Sequence, residues 1–124
     1  MTKRILTVDD SKTMLDMLAF TLKGAGYEVL QAENGQEGLD VLAKEGHVDV
    51  IISDINMPVM GGITFIKNVR QNSAYNATPI LILTTESSAA KKQEGREAGA
   101  TGWIVKPFDP QKLLAVVQKV SPDF

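Results

Sequence analysis

Short apolar runs alternate with amphipathic stretches along the whole chain. Ile5, Leu6 and Val8 mark a strand at residues 5–8 that runs out onto Asp9 and Asp10. Ser11 then caps a helix whose Met14, Leu15, Leu18, Ala19 and Leu22 recur at three- and four-residue spacing, one face of a 3.6-residue period. Gly24 and Gly26 stop it. Residues 27–32 form a second strand around Val29 and Leu30. Asn34 caps a second helix with Glu37 three residues on, the pattern of a capping box. Leu39 and Leu42 face inward, and Gly46 ends the helix. Residues 48–54 form a third strand, with Val48, Val50, Ile51 and Ile52 filling four of five positions. Such a run is a strand buried on both faces, the kind found in parallel sheets covered by helices. It ends on Asp54, and the chain breaks at Pro58, Gly61 and Gly62. A third helix carries Ile63, Ile66 and Val69, with Phe65 close to the same face.

Pro79 opens a fourth strand, residues 80–83, which ends on Thr84 and Thr85. The spacing predicts a helix over residues 87–98, but a poor one: its apolar residues are only alanines, and Gly95 costs about 1 kcal/mol against alanine in a helix interior. A weakly held helix is a candidate moving part. A fifth strand, residues 102–105, ends on Lys106 and Pro107. Asp109 caps the last helix, with Pro110 at its favoured first position and Leu113, Val117 and Val120 as the inner stripe. Five strands thus alternate with five helices, a doubly wound α/β pattern. Right-handed crossovers leave few topologies. The simplest is the flavodoxin-like parallel sheet of order 2-1-3-4-5, which puts a switch point between the first and third strands.

Composition narrows the functional classes. A chain of 124 residues is about one domain, read here as a single domain over 1–124. There is no cysteine, which excludes disulfides and thiolate metal sites. Thirteen basic and fifteen acidic side chains give a formal charge of −2, too balanced to indicate nucleic acid or an anionic membrane as partner. The apolar runs fall far short of the ~20 residues a membrane helix needs, and Asp9 and Asp10 come too soon after the basic start for a secretory segment. The expectation is a soluble, monomeric, cytoplasmic domain.

The polar residues then fall into one place. Asp9 and Asp10 follow the first strand, Asp54 ends the third, Thr84 the fourth and Lys106 the fifth. All belong to the carboxyl edge of the sheet, where open α/β sheets bind ligands. Taken singly, each has an ordinary structural use as a turn, a cap or a solvated side chain. Their coincidence at one edge is what carries weight. Three neighbouring carboxylates repel unless a cation joins them. An oxygen-only set suits a hard cation, and Mg²⁺ fits a small carboxylate cluster that shares a phosphate. With Lys106 as a fixed positive charge and Thr84 as a hydroxyl donor, Asp54 is placed as a nucleophile for a phosphoryl group.

Those residues carry a resemblance. Val8-Asp9-Asp10-Ser11, Asp54-Ile55-Asn56-Met57-Pro58, Thr84 and Lys106-Pro107-Phe108, in this order and each at a strand end, resemble the receiver domain of two-component response regulators over essentially the whole chain. Among these the chain is most similar in kind to the stand-alone chemotaxis regulators. The resemblance implies that Asp54 accepts a phosphoryl group from the phosphohistidine of a sensor histidine kinase of the CheA kind. It implies that Asp10 binds Mg²⁺ directly, that Asp9 holds it partly through water, and that Asn56 adds its backbone carbonyl. Thr84 would move to the phosphoryl group, Lys106 would bind it, and the Lys106–Pro107 bond would be cis. Trp103 would be the aromatic switch that turns inward, and Asn56 and Glu86 would flank the phosphate and tune its hydrolysis. The output would be protein contact through the fourth helix, fifth strand and fifth helix, with a flagellar motor switch protein as the favoured target.

Three positions depart from the family pattern. Thr85 stands where a smaller residue is usual, Gly61 where an acidic one is common, and Trp103 where Tyr or Phe is more frequent. Other readings compete. A phosphate sink or phosphorelay intermediate would share every motif. A haloacid-dehalogenase-like phosphohydrolase would need a second Asp where Asn56 stands. A flavodoxin would need a Ser/Thr/Gly-rich phosphate loop where Asp9-Asp10-Ser11 stands.

Overall fold

The computed structural model describes residues 2–122. Its elements run β1 (Arg4–Val8), α1 (Lys12–Gly24), β2 (Glu28–Ala32), α2 (Gly35–Glu45), β3 (Val50–Ser53), α3 (Gly62–Gln71), β4 (Ile80–Thr84), α4 (Ala89–Ala98), β5 (Gly102–Val105) and α5 (Pro110–Val120). All strand pairs are parallel, and the sheet order is β2-β1-β3-β4-β5, as the alternation of elements predicts.

Strand side chains alternate between faces, and this sorts the core into two layers. Leu6, Val8, Ile51, Ile80 and Ile82 pack on one side with Leu42 of α2, Phe65, Ile66 and Val69 of α3, and Ala98 of α4. Ile5, Val50, Ile52, Leu81 and Leu83 pack on the other with Leu18 and Leu22 of α1 and Leu113 and Val117 of α5. Every residue of β3 and β4 is buried, because both faces of the central strands are covered. β5, at the sheet edge, is half-buried.

The helix caps follow the local chemistry. Ser11, Asn34, Ser88 and Asp109 each accept backbone N–H groups of the first turn, and Gly46 and Gly99 close α2 and α4 in the left-handed region. Some details differ from the sequence reading. α4 begins at Ala89, because Ser88, not Ser87, accepts the Lys91 N–H. α1 runs through Gly24 to an Ala25 cap, and it is Gly26 that takes positive φ. Phe65 is fully buried at the centre of its layer, whereas Ile63 and Leu39 are half-buried against its edge.

Candidate functional site

The register of the sheet sets the site. β1 and β3 pair through Val8 and Ser53, so Asp9 and Asp54 leave adjacent strands at the same level. The ladder continues one step, with Asp54 N–H donating to the Val8 carbonyl at 2.9 Å. β4 and β5 pair through Thr84 and Val105, and Lys106 N–H donates to the Thr84 carbonyl at 2.8 Å. Four strands therefore deliver their polar terminal residues to one edge.

There Asp9, Asp10 and Asp54 bring carboxylate oxygens within 4.8 Å of one another. Asp9 and Asp54 are buried, at 2 and 8 % exposure, and Asp10 faces solvent. Lys106 Nζ reaches over from β5 and donates to Asp9 Oδ2 at 2.8 Å and to Asp54 Oδ2 at 2.9 Å. Burial alone would lower the pKa of this ammonium, but its hydrogen bonds to Asp9 and Asp54, and their charges, outweigh that and hold the pKa above the ordinary lysine value. Lysine is thus charged and spans two of the three acids. The remaining oxygens are fixed by backbone donors. Asp9 Oδ1 accepts the Ser11 N–H at 2.9 Å, and Asp54 Oδ1 accepts the Ile55 N–H at 2.6 Å.

The donor set is all oxygen, with one more negative charge than Lys106 neutralises on the two buried acids alone and a third acid open to solvent. That chemistry fits a hard divalent cation, and Asp9, Asp10 and Asp54 are the carboxylates that could hold one. Thr84 is fully buried at the end of β4, and its Oγ1 accepts the Glu86 N–H at 3.3 Å. The Glu86 carbonyl in turn accepts the Trp103 indole N–H at 3.0 Å. The backbone of one residue, Glu86, thus joins Thr84 to Trp103. Trp103 is half-buried, with its ring against Gly95 of α4. The Lys106–Pro107 peptide is cis. Asn56 lies exposed in the loop after β3, two residues beyond Asp54.

Gly62 is a site residue that motif reasoning passed over. A Cβ there would lie 2.1 Å from the Asp54 carbonyl oxygen, so only glycine lets α3 start this close to the acid. A glycine pair soon after a strand-ending Asp was the available signal. The Ser53 hydroxyl, which donates to the same carbonyl at 2.8 Å, had no signal in the pattern.

Comparison with known proteins identifies the family. Residues 5–118 match the response regulator receiver domain. The chain is 42 % identical over 118 residues to a chemotaxis protein CheY homolog of Campylobacter jejuni, covering 94 % of this chain and 91 % of that one. It is likewise 42 % identical to chemotaxis protein CheY1 of Helicobacter pylori, covering 94 % and 95 %. Among solved structures, chemotaxis protein CheY4 of Vibrio cholerae superposes with a TM-score of 0.93 at 53 % identity, covering 97 % of this chain and 99 % of that one. With the sheet order, the acid cluster at its carboxyl edge and the family match agreeing over nearly the whole length, this chain belongs to the response regulator receiver domain family.

Proposed function

We propose that the chain is a phosphorylation-switched response regulator over residues 1–124, with Asp54 as phosphoacceptor. The observation that carries this is the Lys106 ammonium bonded to both Asp9 and Asp54 inside a three-carboxylate cluster. It is a site built to hold negative charge with mobile positive charge. In the forward step an Asp54 oxygen attacks the phosphorus of a phosphohistidine on a sensor histidine kinase. The P–O bond forms as the P–N bond breaks, and the imidazole leaves with the electron pair. Asp9, Asp10, Asp54 and the Asn56 carbonyl would hold Mg²⁺, which supplies Lewis-acid neutralisation of the phosphoryl oxygens. Lys106 exchanges its carboxylate partner on Asp54 for a phosphoryl oxygen. Thr84 Oγ1 donates to a second phosphoryl oxygen.

The readout then runs through Glu86. When Thr84 turns to the phosphoryl group its bond from the Glu86 N–H is given up, and the Glu86 backbone, whose carbonyl holds Trp103, is released to move. α4, β5 and α5 change population, and a protein partner reads that surface. We favour a flagellar motor switch protein as that partner, on the strength of the chemotaxis names of the relatives. A phosphate sink differs only in lacking this output. The kinase side is supported by an exposed apolar groove of about 530 Å³ between α1 and the start of α5, where Met17, Phe20, Phe108 and Pro110 meet. Phe20 is 84 % exposed there, a patch of the kind that marks protein contact. No helix among the described residues is long and apolar enough to cross a membrane. We place the domain in the cytoplasm as a monomer.

The test is labelling by acetyl phosphate in Mg²⁺. The parent should gain one acid-stable, base-labile phosphoryl group and Asp54→Ala none; full labelling of that variant removes Asp54 from the chemistry.

A further inference from the structure

The loop at residues 56–61 joins Asp54 to α3, and its two ends are pinned. Gly62 N–H donates to the Ile55 carbonyl at 2.8 Å, and Gly62 packs directly on the Asp54 carbonyl. Between them Met60 N–H donates to the Pro58 carbonyl at 2.7 Å, closing a three-residue γ-turn around Val59 at φ 66°. Positive-φ γ-turns are rare and strained, and a β-branched residue in that region is an outlier. The Val59 side chain is 84 % exposed, so packing does not offset the strain. Strain of this kind persists only where the surroundings over-determine it.

The surroundings here are the N-terminus of α2. Gly35 N–H donates to the Met60 carbonyl at 3.0 Å. Apart from the Phe65 N–H bond to the Gly61 carbonyl that opens α3, this is the one backbone hydrogen bond from residues 56–61 to another element among the described residues. The donor is one of the first-turn N–H groups that no helix can satisfy internally. Asn34 caps the same turn by accepting the Glu37 N–H, which leaves the Gly35 N–H free to point at the loop. The approach also demands glycine. A Cβ on residue 35 would lie 2.8 Å from both the Met60 carbonyl oxygen and Met60 Cγ.

We propose that Gly35 is a positioning residue of the metal site. Acting through the Met60 carbonyl, the end of α2 grips the loop, holds the Val59 turn in its strained form, and so fixes where Asn56 and the Asp54 main chain stand toward the cation. This rests on the reading of Asp9, Asp10, Asp54 and Asn56 as the Mg²⁺ site. Gly35 itself touches none of them.

The experiment is Mg²⁺ titration by calorimetry on the full chain, with melting temperature recorded for each variant. Gly35→Ala should weaken Mg²⁺ about tenfold or more, the scale of an outer-shell change. Val69→Ala, a core truncation in α3, should lower the melting temperature as much while leaving Mg²⁺ affinity within about twofold. Val59→Gly relieves the strain, so it should raise the melting temperature and yet weaken Mg²⁺, because the turn is then loose. It also decides the matter should Gly35→Ala fail to fold. Mg²⁺ affinity unchanged in Gly35→Ala, or falling equally in Val69→Ala, or unchanged in Val59→Gly, overturns the proposal. A parent protein that binds no Mg²⁺ overturns the metal-site reading itself, and the proposal with it.

Discussion

Lys106 bridges the two buried acids of the cluster, and its removal separates two effects that are otherwise merged. Without its ammonium, Asp9 and Asp54 face each other buried and without a cation among the described residues. Breaking such a pair costs roughly 3 kcal/mol. Lys106→Met is therefore expected to lower the melting temperature in chelator by more than a surface substitution does. Mg²⁺ should then restore part of the loss, giving a larger Mg²⁺-induced shift than in the parent. Equal shifts in the two proteins would show that lysine and cation do not share these carboxylates. At this scale much of the site was legible, because Asp9, Asp10, Asp54, Thr84 and Lys106 are polar residues at the ends of apolar runs. Gly62 and the Ile55 N–H were not, since their part depends on how closely a following helix approaches, which no spacing rule encodes.

At the scale of elements, α4 changed most. Gly95 reads from propensity as a weakness. In the structure it is a seat: a Cβ would lie 2.8 Å from Trp103 Cζ3 and 2.9 Å from Ile82 Cδ1. Alanine is worth about 1 kcal/mol to an isolated helix at this position, but overpacking against a buried isoleucine and the indole costs roughly 1–3 kcal/mol. Gly95→Ala should thus destabilise the protein in urea and shift Trp103 emission to the red as the ring is pushed outward. The chain has one tryptophan, so the signal has one source. Higher stability with unchanged emission would mean that helix propensity wins and the seat is unimportant.

α5 shows a second long-range device. Lys3 Nζ donates to the Ser121 carbonyl at 2.9 Å, the Ser121 hydroxyl at 2.8 Å and the Pro122 carbonyl at 2.6 Å. A cation there holds the carbonyls of the cap residue and the one after it, and complements the helix dipole. Lys3→Met should cost about 1 kcal/mol in urea unfolding, with hydrogen exchange rising in the last turn of α5. No change in either would reduce the contact to a solvated lysine. The pairing joins the two ends of the chain, so sequence patterning had no means of showing it. The caps at Asn34 and Asp109, by contrast, are local and were legible.

For the whole molecule, the two-layer architecture and the sheet order followed from short apolar runs buried on both faces, their alternation with amphipathic helices, and the handedness of crossovers. Those rules act on every residue and tolerate error in any one. The clasp between α2 and the loop at 56–61 did not follow, because Gly35 and Met60 are joined only by the packed fold. The site is where both kinds of information meet: strand ends supply the acids and the lysine, and packing sets their spacing. Its central claim is that this arrangement makes Asp54 the phosphoacceptor with metal bound. Peptide mapping after acetyl phosphate treatment and borohydride trapping tests it most directly. One modified peptide is expected, carrying homoserine at position 54 where borohydride has reduced the acyl phosphate, formed in Mg²⁺ and absent in chelator; modification at another residue, or at Asp54 without metal, would contradict this.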